Sequence, residues 1–313
     1  MPSKWDETVC QEIFPVGYAQ RPGFPMNSLL KKQIEVLARN IIRDWDFTII
    51  ISGGGEVRVG KSILAMQIGA YWTYLMAKLH KRDLPFNCQE NIVYDGEKLI
   101  KTGNDLGTRY PNACLIYDEA GADLAGTKIL RSRTQDVLDY LRECGQYNML
   151  NILVIPEYFD LPKGIAVSRS IFLIDVDYNV DKEGYFQRGT LKFFSRRSKK
   201  NLYRLGKKEL NYQIVPPDFK GRFENFHTVD ETEYRRLKKE ALKKRESKSN
   251  IKFMRQRDYL FFMLNERFNM SHQEIADTLV AGTKIALSRD GVTDAISKVK
   301  EPKREIEEED DEP

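Results

Sequence analysis

The chain has 313 residues, 41% of them hydrophobic and 11% aromatic, with 50 Lys and Arg against 46 Asp and Glu, for a formal net charge of +4. That is enough for one large packed domain and a smaller one. No apolar run approaches the ~20 residues that a membrane-spanning helix needs, so direct membrane insertion is not expected. Cys10, Cys88, Cys114 and Cys144 are scattered without a C-x-x-C pair, and His80, His227 and His272 stand apart, so neither a disulfide frame nor a zinc site is expected. The start, "MPSKWDETVCQEIFPVG", lacks the basic-then-apolar order of a secretory signal. The expected setting is reducing and intracellular.

Residues 1–27 are punctuated by Pro15, Gly17, Pro22, Gly23 and Pro25 and read as an irregular arm. Leu30, Ile34, Leu37 and Ile41 then recur at helical spacing, with Ser28 as the expected N-cap. "FTIIIS" reads as a buried strand and "SILAMQIGAYWTYLMAKLH" as a long helix. "NIVYD", "CLIYD", "NILVIPEYF" and "SIFLIDV" are further strands, and "RTQDVLDYLRECGQ" is helical. Apolar strands alternating with helices predict an α/β fold with a mainly parallel sheet covered on both faces. This domain is expected over 28–230, with an antiparallel β extension over 177–215. A charged helix and linker follow at 231–250, a small helical module at 251–300, and an acidic, solvated tail at 301–313.

The segment Gly53–Ile63, "GGGEVRVGKSI", comprises Gly53, Gly54, Gly55, Glu56, Val57, Arg58, Val59, Gly60, Lys61, Ser62 and Ile63. Gly55, Gly60, Lys61 and Ser62 satisfy G-x-x-x-x-G-K-[ST], placed between a strand and a helix. Glycines let backbone N–H groups turn inward around phosphates, and the following helix adds its N-terminal dipole. Lys61 is expected on the β- and γ-phosphates and the Ser62 hydroxyl on Mg²⁺. Downstream, "CLIYDEAG" delivers Asp118 and Glu119 to a strand end. Asp118 is expected to orient the Mg²⁺ shell and Glu119 to polarise the attacking water. The nucleotide expected is ATP. Arg131, Arg133, Arg142 and Arg169 follow the acidic pair, and an arginine often meets the charge that develops on the transferred phosphoryl group. Arg142 and Arg169, which flank "NILVIPEYF", are the chosen candidates.

The order "GGGEVRVGKS", "CLIYDEAG", then "LRECGQYNMLNILVIPEYFDLPKGIAVSRSIFLIDV" resembles the FtsK/HerA-type DNA-pumping ATPases and the related Zot-like and viral packaging ATPases. The resemblance spans Phe47 to Val176. It implies a RecA-like P-loop αβα sandwich, a ring that is commonly a hexamer, and duplex DNA as the partner. Arg142 and Arg169 match the family's two arginines. The family's polar sensor falls near Pro156 and Glu157, where the usual Gln is absent.

"KFFSRRSKKNLYRLGKK" (192–208) holds eight Lys and Arg among aromatic residues, and Arg196, Arg197, Lys199 and Lys200 fall where a hairpin tip is expected to meet DNA phosphates. In the C-terminal module Ser271 and Glu274 form a capping box before Ile275, Ala276 and Leu279. Val292, Ile296 and Val299 share a face of a second helix. This resembles a helix-turn-helix with a lengthened turn, whose DNA-facing candidates are Ser288, Arg289, Thr293 and Lys298. The leading expectation is an ATP-hydrolysing DNA translocase or packaging motor of a virus or mobile element. The alternatives are an ATP-switched DNA-binding protein, such as a replication initiator or partition factor, and a Zot-like phage morphogenesis ATPase.

Overall fold

The computed structural model describes residues 7–10, 24–56, 58–124, 132–283 and 287–300. It comprises two compact units, Met1–Lys238 and Lys239–Pro313.

The first unit opens with a two-stranded antiparallel sheet, β1 (Glu7–Cys10) and β2 (Phe24–Asn27), inside the segment expected to be irregular. Phe24, Met26 and Asn27 are buried, which gives a short proline-bearing strand a reason to hold its place on a sheet edge. Helix α1 (Ser28–Ile41) is capped by Asn27, not Ser28: the Asn27 side-chain oxygen accepts from the backbone N–H of Leu29 and Leu30 at 3.1 Å each. Leu30, Ile34, Leu37 and Ile41 form its buried stripe, as their spacing requires.

The chain continues through β3 (Phe47–Ser52), α2 (Lys61–His80), α3 (Cys88–Asn91), β4 (Ile92–Val93), α4 (Gly96–Arg109), β5 (Cys114–Tyr117), α5 (Gly121–Leu124) and α6 (Ser132–Glu143). It then runs through β6 (Leu150–Val154), a single π-type turn (Gly164–Arg169), β7 (Ser170–Val180), β8 (Phe186–Phe194), α7 (Arg196–Gly206) and β9 (Phe219–Arg222). The seven-stranded sheet has the order β4-β5-β6-β3-β7-β8-β9. Its first five strands are parallel, and β8 and β9 add antiparallel at one edge. Strand alternation sorts the apolar side chains to two faces. Ile50, Leu115, Tyr117, Leu153 and Leu173 join a core with Leu99 and Leu106 of α4, Val137 and Leu141 of α6, and Leu202 and Tyr203 of α7. On the opposite face α2 packs closely enough that a methyl on Gly69 would lie 3.2 Å from Ile116. This is an αβα sandwich with the glycine-rich loop between β3 and α2, the P-loop NTPase arrangement. Strand β6 lies between the loop strand β3 and the acidic strand β5, so three strand ends converge on one edge of the sheet.

Two expectations about the later chain are corrected. The β7–β8 hairpin turns at Asp181–Gly184, where Gly184 takes φ 91°, and not at the basic cluster. Residues 196–206 form α7 instead, because Lys199, Leu202, Tyr203 and Gly206 recur at helical spacing and are buried together. Likewise, no linker separates a charged helix from the next one: α8 is a single helix over Glu231–Phe268. Its residues up to Lys238 belong to the first unit and the remainder to the second.

The second unit adds α9 (His272–Thr283) and α10 (Arg289–Lys300) to α8. Phe261, Ile275, Ala276, Val292, Ala295 and Ile296 form its core. The expected capping box is made: Glu274 N–H donates to Ser271 Oγ at 3.2 Å, and Ser271 N–H to Glu274 Oε2 at 2.7 Å. Residues 284–286, in the connection between α9 and α10, and the acidic tail 301–313 lie outside the described residues.

Candidate nucleotide site

The loop leaves β3 at Ser52 and re-enters helix at Lys61. Gly54 (φ 54°), Gly55 (φ 80°) and Gly60 (φ 106°) sit in the left-handed region, where a side chain would be strained. Gly60 has a second constraint, since an added Cβ would lie 3.1 Å from the Phe223 ring. The neighbouring strand end pins the loop: Gly53 and Gly55 N–H donate to the Pro156 carbonyl at 3.3 and 3.0 Å. Val57 lies outside the described residues. The Lys61 ammonium folds back over Gly53 and donates to the Glu56 carbonyl. Burial lowers the Lys61 pKa, against the opposing pull of Glu119 and Asp118.

Asp118, 1% exposed, follows β5 and is held there by its N–H to the Val93 carbonyl at 2.9 Å. Ser62 Oγ lies 3.0 and 3.2 Å from its two carboxylate oxygens. Glu119 takes φ 62°, and its N–H donates to Asp118 Oδ1 at 3.1 Å. Lys61, Ser62, Asp118 and Glu119 therefore share one cleft of about 670 Å³, which Val59, Gly60 and Ile63 also line. A serine hydroxyl and a buried carboxylate are hard oxygen donors, and Mg²⁺ takes few protein ligands when phosphates and waters supply the rest. The residues thus fit a nucleotide-bound Mg²⁺.

The sequence reading missed the opposite wall, made by 225–238. Tyr234 donates its hydroxyl to Asp118 Oδ2 at 2.6 Å. Lys238 places its ammonium 3.0 Å from Asp118 Oδ2 and 2.8 Å from Glu119 Oε1. Arg188, Asn225, His227 and Arg235 line the same cleft. The run "ETEYRRLKKE" reads as a solvated face, and its i, i+4 pair Tyr234 and Lys238 was the available signal for one face of a helix.

Glu157, the position of the expected sensor, lies beside the loop: a Cβ on Gly55 would stand 3.7 Å from its Oε2. The Tyr212 hydroxyl donates to its Oε1, and burial raises its pKa against that bond. Asp175, on β7, accepts from Ser52 Oγ at 3.1 Å, and burial pushes its pKa up to about 6.

The structure does not bring Arg142 or Arg169 to this cleft. Both precede parallel strands, β6 and β7, and lie at the opposite edge of the sheet, roughly 17 Å of strand from the loop. Arg142 is exposed and pairs with Asp139 at 2.8 Å. Arg169 is largely buried, pairs with Asp46 and donates to the Leu141 carbonyl. Arg131 and the side chain of Arg133 lie outside what is described.

Of the basic cluster, Arg196, Arg197 and Lys200 are exposed on α7. Lys199 is not available to DNA. It is fully buried, donates to the carbonyls of Ala166 (2.7 Å) and Val167 (3.0 Å), and burial lowers its pKa to about 7. In the second unit Arg289, Thr293 and Lys298 are exposed on α10. Ser288 accepts from Gly291 N–H at 3.1 Å as a cap, and Thr293 Oγ1 lies 2.8 Å from His272 Nδ1.

A mostly parallel sheet with this loop and acidic strand end defines a P-loop NTPase fold. No family model matches the chain, and no curated protein matches it. Among solved structures, the genome packaging NTPase B204 from Sulfolobus turreted icosahedral virus 2 with ATP-gammaS is 16% identical, over 49% of this chain and 94% of that one, at a TM-score of 0.34. Its AMPPCP complex is 14% identical over 50% and 95%, at 0.34. B204, the DNA-packaging ATPase from Sulfolobus Turreted Icosahedral Virus, is 17% identical over 50% and 95%, also at 0.34. The fold assignment rests on the strand order, and the site on its own contacts. No helix among the described residues is long and apolar enough to cross a membrane.

Proposed function

We propose that the chain is an ATP hydrolase of the DNA-packaging or translocating kind. The observation that carries the hydrolase reading is the meeting of Ser62 and Asp118 across two strand spacings, with Lys61 and Glu119 in the same cleft. In this reading the loop N–H groups and Lys61 bind the phosphates, Ser62 and Asp118 hold Mg²⁺, and Glu119 takes a proton from the attacking water. Mg²⁺, bound with the nucleotide, supplies positive charge against the phosphates. Arg142 and Arg169 act on a neighbouring subunit's nucleotide, since neither can reach its own loop from the far edge. That arrangement calls for a ring, and the family resemblance suggests a hexamer. Exposed Arg196, Arg197 and Lys200, with Arg289, Thr293 and Lys298 of the C-terminal unit, are the proposed contacts to duplex DNA.

One observation favours the switch reading as the second choice. The helix that touches Asp118 and Glu119 is the same α8 that supplies Phe261 to the C-terminal core. The two readings part on steady-state ATPase rate with and without long duplex DNA, with Glu119→Gln as the blank. Stimulation that grows with duplex length supports a motor. Slow turnover indifferent to length, with ATP-dependent DNA binding, replaces it by a switch.

A further inference from the structure

Lys238 makes two ion pairs at once, with the two carboxylates to which the hydrolase reading gives the metal and the water. Its Nζ stands 3.0 Å from Asp118 and 2.8 Å from Glu119. Asp118 is almost wholly enclosed, and three side chains converge on it: Ser62, Tyr234 and Lys238. A buried carboxylate needs a compensating cation or donors. Here the chain supplies its own, from a helix more than a hundred residues downstream. An ammonium at hydrogen-bond distance from Asp118 and Glu119 holds a carboxylate that a divalent ion on Ser62 and Asp118 would also need, so the two cations would compete for Asp118.

We propose that Lys238, seated by Tyr234, is a resident cation of the acidic pair that the metal–nucleotide complex must displace, so that the first two turns of α8 set how readily the site loads. This rests on the nucleotide-site reading given above. Tyr234 and Lys238 are one turn apart on the same face, so they leave Asp118 together when that face shifts. With Lys238 in place, one of the pair's two negative charges is offset and Glu119 is held by a partner other than water. With Lys238 withdrawn, the pair is free to take the metal and orient the nucleophile.

The test uses the full chain and a fluorescent N-methylanthraniloyl ATP, with Mg²⁺ titrated against wild type, Lys238→Met, Lys238→Arg and Tyr234→Phe. Thermal melts in Mg²⁺ alone run in parallel. Lys238→Met should lower the Mg²⁺ concentration for half-maximal binding by about tenfold, as expected when one competing charge is removed. Tyr234→Phe should lower it by about threefold, and Lys238→Arg should leave it near wild type. In the melts, Mg²⁺ without nucleotide should stabilise Lys238→Met more than wild type. An unchanged or higher Mg²⁺ requirement in Lys238→Met and Tyr234→Phe overturns the proposal. Wild type that binds no nucleotide at any Mg²⁺ concentration overturns the hydrolase reading instead, and the metal-only melts then decide the fate of Lys238. Should Lys238→Met not fold, Tyr234→Phe carries the same decision.

Discussion

At the scale of single residues, Lys61 and Glu119 share a cleft but are assigned separable tasks. In the proposed hydrolase reading Lys61 brings positive charge to the phosphates, so Lys61→Ala should weaken ATP binding by roughly 10- to 100-fold, the worth of charge-assisted hydrogen bonds. Glu119→Gln keeps size and hydrogen bonding but cannot accept a proton. It should bind ATP like wild type and lose about 10²- to 10⁴-fold in turnover. Equilibrium binding beside single-turnover hydrolysis separates the two, and near-normal hydrolysis by Glu119→Gln would remove it as the base. Asp175 allows a pH prediction that needs no substrate. Its folded pKa, about 6, lies above the ordinary value of 3.8, because burial outweighs Lys192 and the Ser52 bond. The native state therefore holds the proton more tightly than the unfolded chain. Asp175 stabilises the fold below pH 4, and that contribution falls away as pH rises through 6. Asp175→Asn stays neutral throughout and keeps an acceptor for Ser52. Relative to wild type it should gain on the order of 2 kcal/mol between pH 4 and pH 7 in denaturant melts. A difference that does not change with pH would rule out this account. That Lys61, Ser62, Asp118 and Glu119 meet in one cleft was legible in the sequence, because a glycine-rich turn between a strand and a helix and an acidic pair that ends a strand both fall at the C-terminal edge of a parallel sheet. Tyr234 and Lys238 were not, because nothing local ties a charged helical run to a carboxylate 116 and 120 residues earlier.

At the scale of elements, the parallel strands and α1, α2 and α6 could be read from the sequence, since each buries one stripe or a continuous apolar run. Helix α7 could not be read in the same way: the aromatics around "SRRSKK" alternate well enough to suggest strands. What decides for helix is a tertiary fact, the burial of Lys199, Leu202 and Tyr203 on one side against the π-type turn before β7. The α4–α6 contact yields a test of packing. A Cβ on Gly103 would stand 1.8 Å from the Tyr140 hydroxyl and 2.6 Å from its ring carbon. That hydroxyl is buried and has no hydrogen-bond partner among the described residues. Gly103→Ala should therefore cost about 1–3 kcal/mol by overpacking. Tyr140→Phe should be neutral or stabilising, because it removes a buried polar group without a partner. The double variant should recover part of the loss, as the ring carbon remains close. Strict additivity in a double-mutant cycle would mean that the two residues do not meet in the folded protein.

At the scale of the whole molecule, the separation of the arginines from the loop turns a sequence expectation into a question about assembly. Strand direction fixes it: the loop, Asp118 and Glu119 lie at the C-terminal edge of the parallel strands, and Arg142 and Arg169 precede two of those strands. One subunit cannot close the distance without breaking its sheet. The two arginines differ in what their loss does to the fold. Removing Arg169 would leave Asp46, its partly buried partner, without its ion pair, which costs about 3 kcal/mol or more and confounds any activity measurement. Arg142 is exposed, and its pair with Asp139 is a surface contact three residues away on the same helix, worth about 0.5 kcal/mol or less. Arg142→Ala is therefore the cleaner probe. It should melt within about 2 °C of wild type and lose about 10³-fold or more in turnover, the usual weight of an arginine finger. Mixed with Glu119→Gln subunits, it should regain activity, because an interface then forms between an intact Glu119 on one subunit and an intact Arg142 on the next. Recovery that follows the mixing ratio would place Arg142 in its neighbour's site. Inactivity of the mixture, with both variants folded and associated, would exclude Arg142 from that role and leave Arg169, tested as Arg169→Lys to preserve the pair with Asp46, as the remaining candidate.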